Sequence, residues 1–254
     1  MPFCRVNDVK LYYEDHGTGG PLIFLHGLMG GSENWKSQVD YFKDKRRVIA
    51  VDLRGHGQSD KPRGNYSIKR FSEDLFSFVK ELGIEKGVIA GYSMGGMIAL
   101  RFALDHQEMV EKLIFIDTGA RTRLGKKLLV SASQIILQLS HKAFLKVYLS
   151  FPKNYSESEI REAKERILRI PEHVVDSCLS AVKEFDVTSE LRNIMVPTLI
   201  IHGSEDKQQP LSQAKDMKER IPNSELVVLE GVGHAIVVEA SEKVGEVIEE
   251  FIAS

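Results

Sequence analysis

Two kinds of hydrophobic pattern alternate along this chain. The first is the short, continuous apolar run, found at Pro21–Leu25, Arg47–Val51, Gly87–Ala90, Lys112–Ile116, Thr198–Ile201 and Glu225–Leu229. Runs so short and so rich in Val, Ile and Leu read as strands buried on both faces. The second places apolar residues at helical spacing, as in Phe71, Leu75, Phe78, Val79 and Leu82, a helix that Ser67 caps and Gly83 stops. Further helices are predicted over Ser32–Phe42, Leu211–Arg220 and from about Glu242 to Ile252. Val9–Asp15 instead alternates polar with apolar and is rich in β-formers, which predicts an antiparallel edge strand closed by the turn His16–Gly20. Regular strand–helix alternation implies an α/β fold: a mostly parallel, doubly wound sheet of about eight strands, covered by helices on both faces.

The alternation stops between Asp117 and Met195. That stretch holds no strand-like run, and its pattern predicts helices at Lys126–Leu139, Ala143–Leu149, Glu157–Leu168 and Glu172–Phe185. Ser156 with Glu159 forms a capping box for the third, and Pro171 suits the first turn of the fourth. We therefore expect a core domain from residues 1–120 and 189–254, with residues 121–188 inserted after the sixth strand as a helical cap or lid. Most apolar residues of the cap, among them Ile135, Ile136, Phe144 and Tyr148, serve to pack it on the core. A few are expected to roof a cleft and make it uncharged.

Composition narrows the partners. A formal net charge of -2, from 34 basic and 36 acidic residues among 254, gives no electrostatic reason to expect nucleic acid or an anionic membrane. A small, nearly neutral molecule fits better. The two cysteines, Cys4 and Cys178, are too few for a disulfide framework or a zinc site, and no metal is expected. Neither a basic-then-apolar leader nor an apolar run of membrane-spanning length occurs, so stable membrane insertion is not expected and a cytoplasmic location is. Oligomeric state is not legible.

The chemistry centres on Gly91-Tyr92-Ser93-Met94-Gly95, set between a buried strand and a helix. Such a turn strains the serine backbone and exposes its hydroxyl at the sheet edge, beside a helix N-terminus that favours negative charge. The plainer alternative is that Ser93 merely caps the helix. A serine nucleophile needs a base and a group that orients the base. His234, in the glycine-rich loop after the last strand, lies where ligands bind in a doubly wound sheet. Asp206, in His202-Gly203-Ser204-Glu205-Asp206, is the preferred acid; Asp117, at the end of the preceding strand, is its rival, and Glu205 is a more distant one. The backbone amides of Met94 and Leu28 are the expected donors to an oxyanion.

His26-Gly27, the segment Asp52–Asp60, Gly91–Gly96, Gly203–Asp206 and Gly233-His234 together resemble the α/β-hydrolase superfamily over essentially the whole chain. The chain looks most like small carboxylesterases and monoacylglycerol lipases with a helical cap. That resemblance implies a Ser93–His234–Asp206 triad, an acyl-enzyme intermediate, no cofactor, and a small-molecule ester of short to medium acyl length as substrate. It also implies that Asp52–Asp60 is structural, so neither Arg54 nor His56 receives a catalytic role. Dehalogenases and epoxide hydrolases of this fold carry Asp where Ser93 stands. The menaquinone-biosynthesis lyase is similar in its glycine-rich loops but has Arg where this chain has Met97, and carbon–carbon bond hydrolases usually have Asn where it has Tyr92. Lactone hydrolysis and a ligand-binding receptor remain as alternatives.

Overall fold

The computed structural model describes residues 2–64, 66–122 and 156–254. Eight strands form one sheet: β1 Phe3–Val6, β2 Val9–His16, β3 Pro21–Leu25, β4 Arg47–Val51, β5 Gly87–Tyr92, β6 Val110–Ile116, β7 Thr198–Gly203 and β8 Ser224–Leu229, in the spatial order β1-β2-β4-β3-β5-β6-β7-β8. From β4 to β8 all neighbours are parallel; β1 and β2 are joined antiparallel, and β2 runs antiparallel to β4. The described helices are α1 Lys36–Phe42, α2 Ile68–Glu81, α3 Met94–Asp105, α4 Glu157–Leu168, α5 Glu172–Glu184, α6 Leu211–Arg220, α7 Ile236–Glu239 and α8 Ser241–Ala253.

Successive strand residues feed two separate cores, as a two-residue period on a sheet covered on both faces requires. Ile23, Leu25, Ile49, Val51 and Ile89 join α2, α3 and α6 on one face. Leu22, Phe24, Val48, Ala50 and Val88 join Trp35, α1 and α8 on the other. Helix α3 lies against the sheet with Met97, Ile98, Ala99 and Leu100 fully buried, so it reads as apolar almost all round rather than amphipathic.

Three expectations change. Val9–His16 is not the edge strand, because β1 pairs with it through the two-residue turn Asn7-Asp8, where Asn7 adopts φ 49°. The run Phe3–Val6 is too short to carry a periodic signal. Ser32–Phe42 is not one helix but a 3-10 turn, Ser32–Trp35, followed by α1. Pro171 sits at the N-cap position of α5 rather than inside its first turn. The helices expected over Lys126–Leu139 and Ala143–Leu149, and the Glu159 side chain of the capping box, lie outside what is described.

Helices α4 and α5 join the α2–α3 face through Ile167, Val174, Val175 and Cys178. The chain departs from this face and returns to it at neighbouring points: Arg121 bridges Asp186, and Val187 N–H donates to Ala120 O at 3.0 Å. No described helix is long and apolar enough to cross a membrane.

The segment after β4 is held by polar groups rather than by regular structure. Asp52 accepts from the amides of Ser32 (2.6 Å) and Gln58 (2.7 Å), and Ser59 Oγ donates to Asp52 O while accepting from Tyr12 N–H. The Arg54 side chain, 1% exposed, donates to both oxygens of Asp74 at 2.6 and 3.0 Å and to Asp8 at 2.7 Å. A guanidinium so deep is stable only while its carboxylates are present. Asp74→Ala should therefore lower the free energy of unfolding by about 3 kcal/mol, measured by urea denaturation. A loss below about 1 kcal/mol would show that half-exposed Asp8 suffices alone.

Candidate active site

Strand β5 ends at Tyr92 and α3 begins at Met94, leaving a single residue to turn the chain. Ser93 takes φ 51° and ψ -118°, a conformation costly for a residue with a Cβ. The surroundings hold it there. Its N–H donates to Ile116 O at 2.9 Å, and its carbonyl accepts from Gly96 N–H at 2.9 Å and from Thr118 Oγ1 at 2.7 Å. The flanking glycines are required by contact, because a Cβ on Gly91 would overlap Gly95 O and one on Gly95 would overlap Leu25 O. The Ser93 hydroxyl caps no amide of α3. It lies instead 3.1 Å from His234 Nε2.

His234 is carried on the loop from β8 to α7, which turns at Gly231 with φ 74°. Its Nδ1 is 2.7 Å from Asp206 Oδ2. An ionised carboxylate only accepts, so Nδ1 carries the hydrogen and Nε2 is left as the acceptor facing Ser93. Tyr92 fixes the loop from below, its hydroxyl donating to His234 O at 2.7 Å and its ring 5.3 Å from the imidazole. Asp206 does two things at once. Its Oδ1 accepts from the amides of Gln208 (2.7 Å) and Gln209 (3.0 Å) as a turn-forming aspartate, while Oδ2 faces the imidazole.

Neither rival acid bonds His234. Asp117 is fully buried at φ 43° and accepts from Gly203 N–H at 2.8 Å, but does not bond His234; burial, and then the nearby charge of Asp206, push its carboxyl well above the ordinary carboxylate range. Glu205 is exposed. Among the described residues Asp117, Asp206 and His234 are the only three grouped closely enough to hold a metal ion, their nearest atoms within 4.8 Å of one another. The 2.7 Å Asp206–His234 hydrogen bond already occupies that space.

The loop after β3 runs directly against the serine: a Cβ on Gly27 would stand 3.2 Å from Ser93 Cβ. Among the described residues nothing accepts from the backbone amides of Leu28 and Met94. His26 stabilises this loop from inside, with Nδ1 donating to Gly27 O at 2.7 Å and Nε2 accepting from Leu53 N–H at 3.0 Å. Burial lowers its pKa to about 4, and that of His56, whose ring lies 5.0 Å away, to about 3. Both rings are neutral struts near pH 7, in keeping with a structural Asp52–Asp60 segment. Sequence reasoning missed Tyr92 and Thr118. Tyr92 stood only as the variable residue before the serine, and its partner lies 142 positions away.

A hydroxyl, an imidazole and a carboxylate in one hydrogen-bonded line form a constellation able to attack an acyl carbon. Known proteins agree on the framework. The family model described as alpha/beta hydrolase fold matches residues 20–241. The AB hydrolase superfamily protein YisY of Bacillus subtilis is 32% identical over 96% of this chain and 95% of its own length. Among solved structures, the esterase EaEST from Exiguobacterium antarcticum is 28% identical with a TM-score of 0.92, covering 99% of each chain. Est816, described as an N-acyl homoserine lactone degrading enzyme, is 30% identical with a TM-score of 0.88, over 98% of this chain and 100% of its own. On fold, sheet order and these matches, the chain belongs to the α/β-hydrolase superfamily and is a hydrolase.

Proposed function

We propose that this hydrolase cleaves carboxylic esters through an acyl-enzyme on Ser93. The observation that carries the reading is the unbroken relay from Ser93 Oγ through His234 to Asp206, at 3.1 and 2.7 Å. His234 Nε2 takes the hydroxyl proton as Oγ attacks the ester carbonyl, and Asp206 holds the resulting imidazolium in place. The Leu28 and Met94 amides receive the negative charge of the tetrahedral intermediate. The imidazolium then gives its proton to the departing alkoxide, releasing the alcohol. Water, deprotonated by the same imidazole, attacks the acyl-enzyme, and the carboxylic acid leaves with Ser93 restored. No cofactor enters these steps.

We further propose that residues 121–188 serve as a cap for this cleft; their apolar composition favours uncharged acyl groups of short to medium length, monoacylglycerols included. A second reading shares the mechanism. Lactones are cyclic esters, and the likeness to a lactone-degrading enzyme supports testing them beside open-chain substrates.

Ser93→Ala should lower turnover of a short p-nitrophenyl ester by at least about 10³-fold, and undiminished turnover would overturn the mechanism. Asp206→Asn should fall by a similar order, and a larger loss in Asp117→Asn would move the acid to β6. A screen of linear esters of increasing chain length against N-acyl lactones separates the two substrate readings by kcat/KM. The strained turn gives an independent check. Ser93→Gly should be inactive yet about 1 kcal/mol more stable to urea than wild type, because glycine adopts φ 51° without a Cβ clash; Ser93→Ala, which keeps the Cβ, should show no such gain.

A further inference from the structure

Behind Asp206 lies a second acid–histidine pair that the reaction above does not use. Asp117 directly follows β6 and His202 is the penultimate residue of β7, both 0% exposed, with Asp117 Oδ1 3.3 Å from His202 Nδ1. The approach lacks hydrogen-bond geometry: neither ring nitrogen of His202 has a partner among the described residues, and neither has Asp117 Oδ2. Asp117 Oδ1 receives one donor, Gly203 N–H at 2.8 Å. Asp206, close by, receives two backbone donors, Gln208 and Gln209 N–H, and also faces His234 Nδ1 at 2.7 Å.

Resting on the ester-hydrolase reading, we propose that Asp117 is a positioning residue that keeps a proton while the enzyme works, so that Asp206 is the sole negative charge facing His234. Two carboxylates this close in a buried site do not both ionise, and the charge settles where donors are most numerous. Two backbone amides against one, with the His234 imidazole facing Asp206 as well, assign the charge to Asp206 and the proton to Asp117. The remaining groups facing Asp117 do not reverse this. Burial holds His202 below the ordinary histidine range, hence neutral, and Glu239 of α7 adds further negative potential. The protonated acid still offers Oδ1 to Gly203 N–H, which anchors the turn presenting Asp206. An ionised Asp117 would instead favour the imidazolium form of His234, which cannot take the Ser93 proton.

Asp117→Asn preserves the acceptor for Gly203 and cannot ionise. Two measurements on it are independent of any substrate. In the infrared difference between wild type and Asp117→Asn near neutral pH, the wild type should show the carbonyl stretch of a protonated carboxyl, lost in the variant and retained in His202→Gln. The absence of that band overturns the proposal. In urea denaturation the sign follows from linkage: an acid protonated in the fold but ionised when unfolded weakens the fold as pH rises above the ordinary carboxylate range. The midpoint of Asp117→Asn should therefore gain on wild type between about pH 4 and pH 8, and a gap that narrows or reverses means Asp117 is charged. A third measurement ties the pair to catalysis. With p-nitrophenyl butyrate, the acid limb of kcat/KM should stay within a few tenths of a pH unit in Asp117→Asn; a downward shift of about one unit or more, as expected on removing a real negative charge at this distance, overturns the proposal. Should the chain not hydrolyse esters at all, the infrared and urea results still decide where the proton resides.

Discussion

Close packing of backbone against backbone at the end of β5 is the constraint on which the remaining geometry depends. The turn at Gly91–Gly95 closes on itself so tightly that no Cβ fits at Gly91, and presses on the end of β3 so tightly that none fits at Gly95, while Gly27 completes the contact. With those three positions reduced to hydrogen, two loops that start on neighbouring strands can lie in direct contact beside Ser93. The serine between them has no freedom left. Its backbone is fixed by bonds from β6 and from Thr118, and the strain at φ 51° is sustained by the two cores above and below the sheet. Stability stored in the cores holds one residue in a shape it would not choose alone.

The electrostatic design is layered in the same way. Near the serine, polar groups are few and each is oriented by a backbone partner: His234 through its own carbonyl to Tyr92, Asp206 through two amides of its turn. One step further out, His26 and His56 are buried and neutral, contributing shape rather than charge. Further out still lies the buried guanidinium of Arg54, where Asp74 and Asp8 balance its charge. Keeping unbalanced charge away from the imidazole preserves its capacity to exchange a proton.

Much of this was readable in the chain itself. The apolar runs and their glycine punctuation located the parallel strands, and the residues that follow those strands, Ser93, Asp206 and His234, are the ones that meet in space. They were legible because a parallel sheet delivers every strand's carboxyl end to the same edge, so position in the sequence stands in for position in the fold. What escaped depends on side-chain direction. Nothing local reveals that the Tyr92 hydroxyl reaches His234 O, that Asp117 bonds Gly203 N–H and not His234, or that Asp206 satisfies a turn and a histidine together. Strand β1 escaped for a different reason: four residues do not make a period.

The pairing of Arg121 with Asp186 has a consequence for how such a molecule changes over time. The segment between these two residues adds side chains of α4 and α5 to the core but no described strand to the sheet, and the entropic penalty of lengthening it grows only logarithmically, by about 0.6 kcal/mol per doubling. Insertions, deletions and wholesale replacement between those two residues are thus nearly uncoupled from the register of the sheet. Descendants of one ancestral chain could acquire different appetites while keeping the same frame.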